Sequence, residues 1–372
     1  MAETNSPLAL TWDQALAWRV GRQLLDRPVG DPVKVTSALG GVQAQVGSSV
    51  LQTVAIRTSN LPDLEKLLWE KRSLVKTWAM RGTLHLLPAS EIGTWIAALR
   101  QRPWKITPGW EKYHGVTKSQ LAALTEAIPH VLSVEPMTRE ELTTAVAART
   151  KDRGVGEALA SGWSQVLKPA ANQGLLAQGP PRGRNVTFVD PSAWLGNAIA
   201  EISAEEAMQI IVERFLDANG PATISDFARW FGVDPKTGRE LMTPVLEGLV
   251  PVEVEGYQGW LTEKGAREAA KTSPKQGAHL LPGFDPYTLV PISHREHIIP
   301  EGKVDEVSRA AGWIAPVILE NGRIVGTWES GNAAIALQPF GKVSKKTISM
   351  LEDHIAQRYH DLLGASVAVT VP

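Results

Sequence analysis

Three stretches of the chain repeat one order of predicted elements, in which helices are followed by two short apolar strands joined by a turn. This is the order of a winged helix. In the clearest copy an apolar-periodic helix begins at Ala204 and closes near Asn219, which a glycine follows as at many helix ends. The elements expected after it are a helix capped by Thr223 and Asp226, a third helix over 236–249, and strands over 250–255 and 258–262. The chain is therefore expected to contain tandem winged-helix units.

The middle copy follows the same order and carries a basic turn. Its expected elements are helices over 118–132, from Thr138 and over 157–169, and strands over 175–178 and 185–189. Glu141 completes a capping box with Thr138. The turn over residues 179–184 contains Arg182 and Arg184, and an exposed cationic turn of this kind can follow a phosphate backbone. For either arginine taken alone, an ordinary surface loop is an equally good interpretation.

The first copy is less regular, and the last part of the chain is richer in strands. The first copy is expected to comprise helices over 11–25, 32–39 and 61–71 and strands over 74–79 and 83–87. Beyond Gly277 the expected elements are strands over 278–281, 315–320, 323–328 and 366–371 and a helix over 347–362. The predicted fold class is α+β, with winged-helix units at 8–112, 113–200 and 201–275 and a β-rich C-terminal domain at 276–372. A length of 372 residues with 43% hydrophobic content supplies a core for each of them.

Composition excludes several kinds of chemistry. The chain has no cysteine, which removes disulfides, thiolate nucleophiles and cysteine-bound zinc. His294 and His297 are the only close pair of histidines, and two surface imidazoles on a loop or strand explain them better than a metal site. The sequence also lacks the glycine motifs of nucleotide-binding proteins and the serine motif of hydrolases. No metal and no cofactor are therefore expected.

The sequence also bears on the compartment. No N-terminal stretch combines a basic start with an apolar core, and no run of about 18 apolar residues occurs. A cytoplasmic protein without a membrane span is therefore expected.

Positive charge is concentrated in one part of the chain. The net charge is −1, yet the stretch from Lys71 to Lys112 holds eight basic residues and only two acidic ones. The basic residues are Lys71, Arg72, Lys76, Arg81, Arg100, Arg102, Lys105 and Lys112. Such a distribution suits a cleft that binds a polyanion. A solvated basic face without a partner is equally compatible with it.

Two glutamines separated by one alanine form the most distinctive polar feature. Gln43 and Gln45 come directly after Gly40, Gly41 and a valine. In an extended segment, side chains two residues apart point the same way, so both amides would face one space. The glycine backbone beside them would allow another chain to approach closely. From spacing alone, ordinary surface glutamines remain the better interpretation.

Three motifs together resemble those of a known enzyme family. They are Gly-Val-Gln-Ala-Gln at 41–45, Trp-Ala-Met-Arg-Gly-Thr-Leu-His-Leu-Leu-Pro at 78–88 and Leu-Leu-Pro-Gly-Phe-Asp-Pro-Tyr at 280–287. With them the chain resembles the winged-helix DNA glycosylases of the AlkZ and YcaQ type across nearly its whole length. The catalytic motif of that family is glutamine, an apolar residue, then glutamine or aspartate. The resemblance thus implies that Gln43 and Gln45 are catalytic and of the double-glutamine, AlkZ-like form. It also implies three tandem winged helices and a β-domain around a concave, DNA-sized surface.

The resemblance implies a function as well. The implied enzyme is a monomeric, monofunctional glycosylase that hydrolyses the N-glycosidic bond of bulky N7-alkylated purines in double-stranded DNA. Interstrand crosslinks are possible substrates, and the setting is base excision repair or self-resistance to a DNA-alkylating antibiotic. No lysine lies beside the motif as an obvious Schiff-base nucleophile, the nearest in sequence being Lys34. The candidate DNA-binding residues are Lys76, Arg81, His85, Arg102, Lys105, Arg182, Arg184, His294, Arg295 and His297.

Other interpretations stay open. A non-catalytic winged-helix DNA-binding protein or transcriptional regulator is the main alternative, although regulators usually dimerise on symmetric half-sites. A small-molecule hydrolase has no pocket signature in the sequence. Arg81 and His85 could contact DNA or only support the site. The segment of His294, Arg295 and His297 could form a hairpin against the duplex or a plain surface strand.

Overall fold

The computed structural model of the chain describes residues 6–160, 164–289, 291–331, 334–359, 362 and 368–370. These residues form helices and small sheets in an α+β fold. The chain divides into two compact units, the first made of residues 1–62 with 212–372 and the second of residues 63–211. The four-domain division expected from the sequence stays a prediction.

The first unit begins with short elements whose ends are set by capping side chains. They are β1 (Leu8–Leu10), α1 (Trp12–Arg22), α2 (Pro32–Ala38), β2 (Val42–Gln43) and α3 (Gly47–Ala55). Thr11 caps α1 and forms a capping box with Gln14, and the Asp31 side chain accepts from the backbone at the start of α2. These caps place the start of each helix within a residue or two of the predicted position. The helix predicted over 61–71 is instead a short π-helical turn at Lys66–Glu70.

The second unit contains a hairpin, a group of helices and a second hairpin. Its elements are β3 (Leu74–Trp78), β4 (Leu84–Pro88), α4 (Ile92–Leu99), α5 (Pro108–His114), α6 (Lys118–Val131), β5 (Met137–Thr138), α7 (Arg139–Thr150), α8 (Arg153–Ala160), α9 (Lys168–Asn172), β6 (Ala177–Arg182), β7 (Asn185–Val189) and α10 (Pro191–Leu195). β3 pairs antiparallel with β4, and β5, β7 and β6 form a three-stranded sheet. Leu124, Ile128, Leu142 and Phe188 lie in one buried core that joins the helices to this sheet.

The predicted capping box and hairpins of the second unit are confirmed, and one predicted helix is wrong. Thr138 and Glu141 form the expected capping box. The helix expected over 157–169 is broken into α8, a 3₁₀ turn at Ser164–Val166 and α9. Pro169 stands in the first turn of α9, where its missing N–H costs no hydrogen bond. α4 and α5 have no counterpart in the sequence prediction.

The third winged helix matches its prediction most closely. Its elements are α11 (Ala204–Asn219), α12 (Ile224–Phe231), α13 (Pro235–Met242), β8 (Leu249–Val254) and β9 (Tyr257–Thr262), followed by α14 (Glu263–Lys271). Thr223 and Asp226 form the expected capping box of α12. The third helix is shorter than predicted, because α13 passes into a 3₁₀ segment at Thr243–Gly248. β1 adds to this hairpin in parallel, with Leu8 opposite Val252, and no local sequence signal indicated this long-range pairing.

The C-terminal part is built on a five-stranded sheet. Its elements are β10 (Ala278–Leu281), α15 (Pro286–Leu289), α16 (Arg295–Ile298), α17 (Val304–Val307), β11 (Val317–Glu320), β12 (Arg323–Gly331), β13 (Ala334–Pro339), α18 (Lys345–Arg358) and β14 (Ala368–Thr370). The sheet order is β10-β11-β12-β13-β14. Trp328 and Tyr359 meet edge to face in a core shared with α1 of the same unit. The predicted strands are present with shifted ends, and the ends of the predicted segments 347–362 and 366–371 lie partly outside the described residues.

Candidate active site

The glutamine pair follows a left-handed turn. Gly40 and Gly41 have φ angles of +67° and +88°, which residues with a side chain rarely adopt. A Cβ atom on Gly40 would lie 3.2 Å from Cζ2 of Trp230. Nη1 of Arg214 donates to the carbonyl oxygen of Ser37 at 3.0 Å, so α11 holds the end of α2. The two glycines let the chain leave α2 tightly against Trp230 and enter β2 in a fixed direction.

Gln43 and Gln45 contact each other through their side chains. Nε2 of Gln43 donates to Oε1 of Gln45 at 3.1 Å, which confirms that the two amides share one side of the segment. Gln43 is only 8% exposed, whereas Gln45 is exposed. The buried amide thus orients the exposed one. A carbonyl oxygen has two lone pairs, so Oε1 of Gln45 can accept a second hydrogen bond from a water molecule.

A buried ion pair fixes the far end of α3, the helix that starts just after Gln45. Arg57 and Asp285 are both fully buried, with Nη1 2.7 Å from Oδ2 and Nη2 2.8 Å from Oδ1. Arg57 also donates to the backbone carbonyl oxygens of Gln23 and Thr53, at 2.8 and 2.9 Å. Sequence reasoning missed this pair. Asp285 could have indicated the pair, because it lies within the third of the motifs that resemble the enzyme family.

The loop of the third motif packs on the start of α3. A Cβ atom on Gly283 would lie 2.9 Å from the carbonyl oxygen of Ile314 and 3.8 Å from Oγ of Ser49. Phe284 has a φ of +61° and meets Trp313 edge to face, with the ring centroids 5.0 Å apart. The first turn of α3 is therefore supported by this loop. The third motif thus lies beside the helix that follows the glutamine pair.

In the second unit, three of the candidate DNA-binding residues lie on the β3-β4 hairpin. Arg81 occupies the turn with a φ of +55°, and burial lowers the pKa of Lys76. His85 is 2% exposed, and its Nδ1 donates to the carbonyl oxygen of Thr83 at 2.9 Å. Burial, followed by the charges of Arg81 and Arg102, lowers the pKa of His85 to about 3. A buried, neutral imidazole supports the turn, and the DNA contact of His85 stays a prediction.

Arg102 and a lysine that the sequence did not indicate lie against the same turn. Nη1 of Arg102 donates to the carbonyl oxygen of Ala79 at 2.8 Å, and burial lowers the pKa of Arg102 to about 10. Nζ of Lys168 lies 3.4 Å from the position that a Cβ atom on Gly82 would take. Only the fold brings Lys168 to this turn, since nothing nearby in the sequence connects the two. Lys105 is exposed.

The two arginines of the basic turn in the second hairpin differ in their surroundings. Arg182 forms an ion pair with Glu141, in which Nη1 lies 2.9 Å from Oε1, and it also donates to the carbonyl oxygen of Pro136. The hydrogen bond from Arg182 is the main cause that lowers the pKa of Glu141. Arg184 is exposed beside Gly183, which has a φ of +62°. Arg184 therefore presents its charge to solvent, whereas Arg182 ties the hairpin to the start of α7.

The segment that contains His294 is helical, so the predicted hairpin and the surface-strand interpretation are both wrong. His294 closes a 3₁₀ turn and is completely buried, and its Nε2 donates to the carbonyl oxygen of Pro221 at 2.7 Å. Burial is the main cause that lowers its pKa to about 3. The ring is therefore used inside the fold, and a DNA contact of His294 stays a prediction.

The neighbours of His294 are half-buried on α16. His297 stacks on Trp12 with the ring centroids 4.0 Å apart. Arg295 donates to Oγ of Ser308 at 3.3 Å, and burial, followed by the charge of Arg229, lowers its pKa. Both side chains pack within the first unit, and any contact of theirs with DNA stays a prediction.

The described residues also bear on metal binding and on membrane insertion. Within the ranges that the structure describes, no group of three or more histidine, aspartate or glutamate side chains is arranged to hold a metal ion. Among the helices of those same ranges, none has both the length and the apolar character needed to cross a membrane.

Comparison with known proteins identifies the family. Residues 36–362 match the family described as DNA glycosylase AlkZ-like. The chain is 38% identical over 354 residues to the interstrand DNA cross-link repair glycosylase of Streptomyces sahachiroi, covering 93% of this chain and 95% of that protein. The solved structure of Streptomyces sahachiroi DNA glycosylase AlkZ superposes with a TM-score of 0.91 at 34% identity, covering 98% of this chain and all of the other. The chain therefore belongs to the AlkZ-like family of DNA glycosylases, which are hydrolases acting on N-glycosyl bonds.

Proposed function

We propose that this chain hydrolyses the N-glycosidic bond of N7-alkylated purines in double-stranded DNA, and that Gln43 and Gln45 hold the attacking water. The observation that carries the proposal is the hydrogen bond between a buried amide and an exposed one directly after the left-handed glycine turn. Family membership supports the reaction class. The packing of the third motif on α3 supports the roles of the two glutamines, because it fixes the helix that follows them.

The charge of the leaving group explains why two neutral amides suffice to catalyse the hydrolysis. N7-alkylation gives the purine a positive charge, so the base departs with the bonding electron pair as a neutral molecule while C1′ gains oxocarbenium character. The water oxygen then bonds to C1′, and the proton it loses passes to solvent. The glutamine carbonyl oxygens accept hydrogen bonds from this water and place partial negative charge beside the developing cation. Neither amide gains or loses a proton, and the products are a free alkylated base and an abasic site.

The proposal extends to bulky adducts and to interstrand crosslinks. The Streptomyces sahachiroi relative carries crosslink repair in its name, and the similarity covers most of both chains. An enzyme of this kind would act as a cytoplasmic monomer in base excision repair or in self-resistance to a DNA-alkylating antibiotic. It would need no cofactor.

Substitution of either glutamine tests the proposal. Gln43→Ala and Gln45→Ala are each expected to lower the single-turnover rate of excision by about 100-fold, the order of loss found when one positioning or electrostatic group is removed. DNA affinity should stay near the wild-type value, because an amide holding water at the sugar is not a phosphate contact. The rate is measured on duplexes carrying N7-methylguanine or a bulky N7 adduct, with strand breaks at guanine read after heating in alkali.

Gln52→Ala is the matched control, since Gln52 is a half-buried glutamine further along α3. It should excise both adducts at the wild-type rate. Undiminished excision by both Gln43→Ala and Gln45→Ala would remove the pair from the active site. Wild-type protein that binds the duplexes yet leaves both adducts intact would favour the non-catalytic DNA-binding protein.

A further inference from the structure

Three basic side chains of the second unit converge on one turn, the segment Ala79–Thr83 between β3 and β4. Arg81 stands within the turn in a left-handed conformation. Arg102 reaches it from beyond α4 and donates to the carbonyl oxygen of Ala79 at 2.8 Å. Lys168 reaches it from the start of α9, and its Cδ and Nζ both lie 3.4 Å from where a Cβ atom on Gly82 would be. The three positive charges thus come from three separate parts of the chain.

The backbone at Gly82 leaves room for this arrangement. Its φ of +65° lies in the left-handed region that favours glycine. A side chain there would be strained, and it would also press on the Lys168 stem. Glycine therefore lets the lysine lie directly across the turn, close to Arg102.

Like charges lie close together at this turn. Burial, followed by the charge of Arg102, lowers the pKa of Lys168. The charges of Arg81 and Arg102 both disfavour protonation of His85, which lies beneath the turn. Holding like charges together in partly buried positions costs stability. An anion bound at the turn would lower this repulsion, because its negative charge attracts each of the three cations.

We propose that Arg81, Arg102 and Lys168 form a binding site for a backbone phosphate of the DNA substrate. The proposal rests on the proposed function only in taking DNA as the ligand. Arginine offers several fixed N–H donors and lysine a compact ammonium, and both groups bind phosphate oxygens well. The site contacts no base, so it positions the duplex without reading its sequence.

The salt dependence of binding tests this site. Affinity of the full-length protein for undamaged duplex DNA is measured by fluorescence anisotropy over a series of KCl concentrations. Each phosphate contact contributes about 0.9 to the slope of log affinity against log salt concentration. Lys168→Gln should lower the magnitude of that slope by about 0.9 and weaken binding at low salt, while Lys168→Arg should keep the wild-type slope.

Thermal stability distinguishes a phosphate-binding role of Lys168 from a purely structural role. Because Lys168→Gln removes a partly buried cation beside Arg102, its melting temperature should equal or exceed that of the wild type. The control is Arg153→Gln, which removes a cation of the same unit that is 93% exposed and paired with Glu157. Its slope should equal the wild-type slope. A Lys168→Gln slope equal to the wild-type slope would overturn the phosphate site.

The test of the phosphate site and the test of the proposed reaction are independent of each other. The slope is measured on undamaged DNA and involves no bond cleavage, whereas the glutamine variants are measured by excision. A lowered slope without any excision would keep the phosphate site and remove the proposed reaction. Normal excision with an unchanged slope would keep the reaction and remove the site.

Discussion

The ion pair between Arg57 and Asp285 shows how single residues fix the candidate active site. Moving two charges out of water costs several kcal/mol for each ion, and only good geometry with further hydrogen bonds offsets that cost. Here the guanidinium meets the carboxylate through two short hydrogen bonds, and the backbone oxygens of Gln23 and Thr53 accept two more. Because Arg57 follows α3 and Asp285 belongs to the third motif, the pair joins the two segments that support the glutamines.

Asp285→Ala should therefore destabilise the protein strongly. It leaves the Arg57 charge buried without its carboxylate, and removal of one partner from a buried pair costs about 3–5 kcal/mol. The free energy of unfolding is measured by urea denaturation. Asp13→Ala is the control, since Asp13 pairs with Arg323 at the surface and such pairs contribute less than about 1 kcal/mol. Equal losses for the two variants would contradict the assigned importance of the buried pair.

At the level of single residues, the sequence predicted the glutamine pair but not the residues that hold it in place. Gln43 and Gln45 are local neighbours, so their shared direction follows from strand geometry. Arg57 and Lys168 meet partners far away in the chain, which no local pattern reveals. His85 and His294 were candidates for DNA contact because they lie on the first predicted hairpin and after the third motif, yet both are buried hydrogen-bond donors to backbone oxygens.

Among the elements, those bounded by local signals were predicted best. Capping boxes and turn glycines lie next to the helices and hairpins that they delimit, which explains the close match of the third winged helix. Elements that depend on tertiary contacts were predicted poorly. β1 is a strand because it adds to β8, and the His294 segment is helical although its sequence contains no clear cap.

The contact between β10 and α18 gives the fold a dependence on pH. His279 on β10 and His354 on α18 meet edge to face with the ring centroids 5.3 Å apart. Burial is the first cause that lowers their pKa values, to about 4 for His279 and about 3 for His354. The charges of Arg57 and Arg358 lower both further, and His279 also lowers the pKa of His354. Both rings are therefore neutral in the folded protein at neutral pH.

Acidification should therefore destabilise the fold before most carboxylates titrate. Below a pH of about 6.5 the unfolded chain takes up protons at these histidines, while the folded chain does not. The free energy of unfolding therefore decreases as the pH is lowered. The loss continues until the folded pKa values are reached. For His354 this amounts to about 2 kcal/mol between pH 7 and pH 5.

His354→Leu should remove that part of the loss. Leucine fits an apolar contact, and Nε2 of His354 is buried with no hydrogen-bond partner among the described residues. Urea denaturation of wild type and variant at pH 7 and pH 5 measures the difference, with carboxylate effects common to both proteins. If the variant loses as much stability as the wild type, these imidazoles do not control the pH dependence.

For the whole molecule, the distribution of charge matters more than its sum. A net charge of −1 gives no general attraction to DNA, yet the stretch from Lys71 to Lys112 is strongly basic. The sequence predicted this concentration and the α+β class. It could not predict which distant basic residues come together at the β3-β4 turn, because that depends on how α9 packs near this turn.

The range of bases that the enzyme can remove depends on what the substrate and the protein each contribute to the reaction. In the proposed mechanism, the positive charge of the alkylated purine activates the leaving group, and the protein supplies a held water and partial negative charge. A neutral purine has no such charge and needs protonation as it leaves, a step for which positioned acids contribute about 100-fold to 10,000-fold in rate. The glutamine amides cannot supply that proton at neutral pH.

Excision of unmodified guanine and of hypoxanthine should therefore be at least about 100-fold slower than excision of N7-methylguanine. The comparison uses single-turnover rates on duplexes of one sequence that differ only at the target base, with the Gln43→Ala variant as the background. Because all three bases sit in the same duplex, differences in DNA binding contribute little to the ratio. Comparable rates on hypoxanthine would mean that the protein itself provides an acid, and the two amides would no longer account for the reaction.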